Sequence, residues 1–188
     1  MHSESKGVVN QPADIIYPLV RDEIQKIVPF LPNVDKIETV KHERINDTRV
    51  EILNHWHAKA EVPSVIKSFI KPEFFQWKDF ATWKDDEYCV DYRIESFVGN
   101  KLFDLSGTNY FTPIGTDKTE VKVTFNLEIY PERFPGVPNF LAKRIRGPIE
   151  EMVKRLLEPN LASLVKGLNE YFANEPKPGK KSSRKGDK

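Results

Sequence analysis

Residues 37–130 consist almost entirely of segments in which apolar and polar side chains alternate, and the breaks between most of them are short. The alternation runs through 37–45, 48–59, 74–83, 87–98, 102–112 and 119–130, with 6–10 as a further short strand candidate. The breaks at Asn46-Asp47, 84–86, 99–101 and 113–118 are polar or turn-forming. A parallel pair needs a crossover of a dozen or more residues, so successive strands here must run antiparallel. A sheet of about seven such strands has an apolar face that another element must cover. The sequence offers that cover at its end. Leu141, Ile145, Ile149, Met152, Val153, Leu156, Leu161, Leu164, Val165, Leu168 and Phe172 keep a helical stripe, and Lys143, Arg144, Arg146, Lys154, Arg155 and Lys166 fill much of the other side. Gly147-Pro148 predicts that the main helix starts near Pro148, and Pro159 predicts a kink. Near the start, Ile15, Ile16, Leu19, Val20, Ile24, Ile27 and Val28 also recur at helical spacing, with Pro12 suited to the first helical position. Pro18 interrupts them, which predicts two short helices or one kinked helix. The pattern specifies an α+β chain whose antiparallel sheet wraps a long C-terminal helix.

A chain of 188 residues can bury one ordinary core. Residues 7–173 read as one domain, 1–6 as a flexible start and 174–188 as a disordered tail. That tail holds six basic residues against two acidic ones, a net +4, so the remainder of a chain of net charge +1 is at −3. An acidic body is unlike a nucleic-acid-binding surface, and no specific nucleic-acid binding is expected. The tail reads as a solubilising end, or as a weak electrostatic tether to anionic membrane. No apolar run reaches the roughly 20 residues of a membrane span. The start lacks a signal-like apolar core and Cys89 is the single cysteine, which together predict a cytoplasmic protein.

Alternation assigns each strand an inner face. Val50, Ile52, Trp56 and Ala58 face inward in the third strand, and Phe75, Trp77, Ala81 and Trp83 in the fourth. Tyr88, Val90, Tyr92 and Ile94 follow in the fifth, then Leu105, Gly107 and Phe111, then Val121, Val123, Phe125, Leu127 and Ile129. Three polar residues, Asn54, Asp79 and Asn109, intrude on these faces. A buried polar group without a partner costs about 1–3 kcal/mol, and a cavity holding water or a polar ligand group would relieve it. The expected cavity wall is Asn54, Trp56, Val65, Ile66, Phe69, Trp77, Asp79, Trp83, Tyr92, Asn109, Phe111, Phe125, Met152 and Leu156. Val62, Val65, Ile66, Phe69 and Ile70, bounded by Pro63 and Pro72, are too irregular for a strand. They are expected to form a short helix or loop that gates the cavity mouth.

Reactive constellations are weak. His55 and His57 share a strand face with Glu51, opposite Trp56, and spacing supplies no third metal ligand. Cys89 has no histidine placed beside it and reads as structural. Asp91, Arg93 and Glu95 form an alternating charged row. It is either a solvated face or, if the register slips by one, an acid–base set inside the cavity. No P-loop, dinucleotide fingerprint, nucleophile elbow or zinc-protease motif occurs, and no cofactor or metal is expected.

The order of elements, strand, paired short helices, six strands and long helix, resembles the helix-grip plan of the START-like (SRPBCC) superfamily. Phe30-Leu31-Pro32-Asn33-Val34 resembles the end of its helix pair. Leu105-Ser106-Gly107-Thr108-Asn109-Tyr110-Phe111 and Thr119-Glu120-Val121-Lys122-Val123-Thr124-Phe125 resemble its last two strands. The glycine-rich loop of the pollen-allergen branch is absent at 44–48. The resemblance implies a deep apolar cavity for a lipid, quinone or polyketide-like molecule, and so a binding or transport role. Two alternatives stand beside it: a cyclase or dehydratase using polar groups in the same cavity, and a protein-interaction domain of the same fold.

Overall fold

The computed structural model describes residues 1–58, 62, 64, 67–68, 72–97, 102–134 and 136–174. Seven strands, β1 (His2–Val9), β2 (Val34–Asn46), β3 (Arg49–Ala58), β4 (Gln76–Lys84), β5 (Cys89–Ser96), β6 (Phe103–Ile114) and β7 (Lys118–Ile129), form one sheet. Their order is β1-β7-β6-β5-β4-β3-β2 and every neighbouring pair is antiparallel. Only β1 leaves sequence order, crossing to pair with β7. The β2–β3 hairpin turns where expected, because the Asn46 side-chain oxygen accepts the Thr48 amide at 2.9 Å and closes the bend. Register shifts along β2 let this long edge strand bend.

Among the described residues two α-helices accompany the sheet: α1 (Ala13–Asp22) and α2 (Asn139–Asn174). Short 3-10 turns follow α1 at Ile24–Lys26 and Val28–Phe30. Pro12 caps α1 from outside instead of opening it, and the helix runs through Pro18. Burial of Ile16, Tyr17, Leu19 and Val20 on either side of that proline offsets the lost hydrogen bond.

Two boundaries differ from the sequence reading. Residues 1–6, expected to be flexible, lie mostly within β1, where Ser3, Ser5 and Gly7 pair with Phe125, Val123 and Val121. The polar start is held by backbone hydrogen bonds that side-chain hydropathy does not report. Likewise α2 begins at Asn139, not near Pro148, and is continuous through Gly147-Pro148 and Pro159. Ala142, Ile145, Ile149 and Met152 are all buried on one face across the Gly-Pro pair, and that burial outweighs the local breaker. At 36 residues the helix is about 54 Å long. It packs closely on β1 at Gly7, where an added Cβ would lie 2.9 Å from Val165. Among the described residues no helix is long and apolar enough to cross a membrane.

Candidate functional site

The inner face of the sheet reads as rows across the strands. Val50, Trp83, Val90, Asn109 and Val123 are successive partners in one row. Ile52, Ala81, Tyr92 and Gly107 form the next. Asn54, Asp79, Ile94, Leu105 and Leu127 form the third. Trp56, Trp77 and Ser96 continue beyond it. This alternation is the one expected, and all three polar intruders point the same way as the apolar rows.

These rows enclose a cavity of about 260 Å³ with a mostly apolar wall. Asn54, Trp56, Trp77, Asp79, Trp83, Tyr92, Asn109, Phe125 and Met152 lie on that wall. Val20 of α1, Ile24 of the first 3-10 turn, and Ile149 and Leu164 of α2 close it from the helical side. Phe111 does not reach the cavity. It is 1% exposed, with its ring stacked 6.1 Å from that of Trp83 and the Tyr17 ring edge-on at 5.4 Å. Val65, Ile66, Phe69 and the Leu156 side chain, with the gate expected over 62–70, lie essentially outside the described residues.

Three residues on this wall hold a side-chain atom that is buried with no hydrogen-bond partner among the described residues: Asp79 Oδ1, Trp83 Nε1 and Asn109 Oδ1. The Trp56 indole donates to the other Asp79 oxygen, Oδ2, at 3.1 Å. Burial raises the Asp79 carboxyl to about 7, and the Trp56 and Asn54 side chains only partly oppose the rise. Asn54 is tied from the opposite side, since Thr39 donates to its Oδ1 at 2.8 Å and Gln25 donates to Thr39 at 2.8 Å. Asp79 and Trp83 are four residues apart on one strand, so their backbones are about 13–14 Å apart. The cavity therefore has a polar group near each end and an apolar middle.

The middle depends on a glycine. Tyr92 lies across Gly107 and donates its hydroxyl to the Thr124 carbonyl at 2.8 Å. A Cβ at Gly107 would fall 2.0 Å from the Thr124 oxygen and 2.7 Å from the Tyr92 hydroxyl. The Thr124 hydroxyl accepts the Thr108 amide at 3.1 Å and donates to the Thr108 carbonyl at 2.9 Å, which secures the strands around this crossing. Burial pushes the Tyr92 phenol up, and the Asp79 carboxylate adds to the rise. The sequence reading places Gly107 inward but does not identify it as the seat of Tyr92. Register is the missing signal, because the pairing of Tyr92 with Gly107 is visible only once β5 and β6 are aligned.

The histidine and charged constellations face outward. His57 Nε2 lies 3.2 Å from Glu38, and the His55 ring meets Phe97 edge-on at 4.6 Å. No cluster of three metal-capable side chains occurs among the described residues. Cys89 is buried, burial pushes its thiol up, and its carbonyl accepts the Tyr17 hydroxyl at 3.2 Å. Asp91 pairs with Lys84 at 2.7 Å, which holds its carboxyl low, and Arg93 pairs with Glu95. The charged row lies on the solvated face, so the slipped register that would have put it in the cavity does not occur.

No family model matches the sequence. No curated protein matches it either. Solved structures do resemble the fold. TTHA0849 from Thermus thermophilus superposes with a TM-score of 0.65 at 23% identity, over 94% of this chain and 100% of that one. The ZhuI aromatase/cyclase from Streptomyces sp. R1128 gives 0.64 at 13% identity, over 92% and 95%. Norcoclaurine synthase from Thalictrum flavum, in complex with dopamine and hydroxybenzaldehyde, gives 0.56 at 15% identity, over 94% and 88%. These neighbours are START-like (SRPBCC) proteins, and what the chain shares with them is the helix-grip fold.

Proposed function

We propose that this helix-grip chain binds an apolar small molecule carrying polar groups, enclosed between the sheet and α2. One observation carries the reading: the three residues that hold a buried side-chain atom without a partner among the described residues all border the same cavity. Each such atom costs about 1–3 kcal/mol in a dry core, and a ligand group that pairs with them recovers that cost. The half-buried Trp56 and Trp77 and the buried Trp83 and Phe125 offer apolar surface worth about 25 cal/mol per Å² covered. Lipids, quinones and polyketide-like aromatics are the classes to screen. The test is a thermal-shift screen across these classes, with native mass spectrometry of the protein taken directly from cells. A ligand at a hundredfold excess over Kd adds about 2.7 kcal/mol and raises the melting temperature by about 5–10 °C. No shift with any class would sink the reading.

A second reading is favoured by Asp79 alone. A carboxyl held at about 7 can both give and take a proton near neutrality, so the cavity could support acid–base turnover of its ligand. Turnover of a bound compound by the native protein and not by Asp79→Asn would support it. An interaction domain is the weakest of the three alternatives, because the outer sheet face carries ion pairs such as Lys84–Asp91 and Arg93–Glu95.

A further inference from the structure

We propose that the Asp79 end of the cavity takes a cationic nitrogen, so that the ligand is an apolar or aromatic amine whose ammonium group rests against the carboxylate. The inference rests on the binding reading above and narrows it to a ligand class.

The geometry begins with Asp79, which borders the cavity and whose Oδ1 is buried with no partner among the described residues. Its sister oxygen is already engaged by the Trp56 indole. Among the described residues nothing positive reaches the site from within. On β3 the neighbours are Asn54 and Trp56, on β5 they are Tyr92 and Ile94, and α2 presents Ile149, Met152 and Leu164. No lysine, arginine or histidine lies on the described wall, and Tyr92 is its only other titratable group. His55, Lys78, Arg93 and Glu95 alternate onto the opposite face of the sheet. A ligand hydroxyl would satisfy Oδ1 but leave the carboxylate charge uncompensated in a low dielectric. An ammonium group supplies both the donor and the opposite charge.

The aromatic surroundings point the same way. Trp56 and Trp77 stack at 6.2 Å with ring planes 12° apart, and both border the cavity beside Asp79. Tyr92 lies on the adjacent strand, close enough for the Asp79 charge to act on its phenol. Indole and phenol faces attract a cation and give a neutral hydroxyl no comparable gain. Acceptor, missing counter-charge and aromatic faces coincide at one end of the cavity. At the other end, Trp83 Nε1 and Asn109 Oδ1 offer a donor and an acceptor for a neutral polar group.

Proton linkage follows. The free carboxyl titrates at about 7, and a cation beside it favours the ionised form. Amine binding at pH 6 should therefore release a proton to solvent, and at pH 8.5 it should release almost none. Amine affinity should rise with pH between those values, while a neutral analogue should not gain.

The experiment compares 2-(2-naphthyl)ethylamine with 2-(2-naphthyl)ethanol by isothermal titration on the full chain, at pH 6 and pH 8.5, in buffers of different ionisation enthalpy. The expected result is at least about tenfold tighter binding of the amine at pH 8.5. Asp79→Asn should abolish that preference, so that amine and alcohol bind within about twofold of each other. Should the variant fail to fold, proton release on the native protein at pH 6 decides the matter. Equal or tighter binding of the alcohol, with no proton released, overturns the amine inference and leaves the binding reading intact. Binding of neither probe, together with an empty thermal-shift screen, overturns both.

Discussion

The two ends of the inner face are built from the same strands by the same alternation, yet one is filled and the other hollow. At the filled end, Phe111 and Trp83 pack against Tyr17, which comes down from α1 with ring contacts of 5.4 and 5.1 Å. α1 is held there by Arg21, whose guanidinium meets Asp85 at 2.5 Å. At the hollow end, Trp56 and Trp77 are half-buried and border open space beside Asp79. An inward-facing aromatic is therefore core or cavity wall according to what arrives from the other layer. Packing density is a property of the pair of layers, and a strand's pattern describes only one of them.

The largest expected effect tests the filled end. Phe111→Ala should cost about 3–5 kcal/mol in urea unfolding, as for a fully packed ring. A loss below about 1 kcal/mol would mean that this end is also hollow, and the comparison would collapse.

The next tests whether the hollow end is dry enough to trap a charge. Asp79 titrates at about 7 when folded against 3.8 for the ordinary group, so the folded state holds its proton longer than the unfolded state does. Stability from this group is fully present below about pH 4 and is lost as pH rises towards 7. Asp79→Asn lacks that loss. Without ligand it should be more stable than the native chain at pH 8, by on the order of a few kcal/mol, with the advantage shrinking towards pH 4. Equal melting temperatures of the two proteins at both pH values would show that the carboxylate is well solvated.

Between the two ends, Gly107→Ala should cost about 1–3 kcal/mol, because the new methyl collides with a backbone carbonyl that cannot rotate away. Adding Tyr92→Phe to that variant should recover only part of the loss, since it removes the hydroxyl contact and leaves the carbonyl one. Full recovery would show that the Tyr92 hydroxyl, and not the Thr124 carbonyl, sets the constraint.

The smallest stability change belongs to Trp77→Ala. It enlarges an existing cavity instead of opening a new one, and about 1 kcal/mol is expected. The same variant should lose ligand-induced stabilisation in the thermal-shift assay. A cost as large as that of Phe111→Ala would place Trp77 in the core.

Much of this arrangement is legible in the order of the residues. The strands, their antiparallel order and the inward set of Val50, Ile52, Val121, Val123 and Phe125 follow from a period of two and short turns, which are local properties. The intrusion of Asn54, Asp79 and Asn109 is visible for the same reason. Alternation also puts Phe111 on the cavity wall, wrongly, because it cannot see Tyr17 packed edge-on against that ring. The pairing of residues 2–9 with β7 is not legible at all, because it joins segments more than a hundred residues apart through main-chain bonds that carry no composition signal.

The sequence by itself determined which side of each strand faces inward, since successive side chains must point to opposite faces. It also determined that the C-terminal helix supplies the cover. Only the tertiary structure decided that α2 runs unbroken through Gly147-Pro148, that Gly107 gives Tyr92 its seat, and that Asp79, Trp83 and Asn109 meet one cavity with unpaired atoms. Periodicity is set by neighbours along the chain, whereas a void is set by the fit of distant elements, and no local pattern encodes the space left between them.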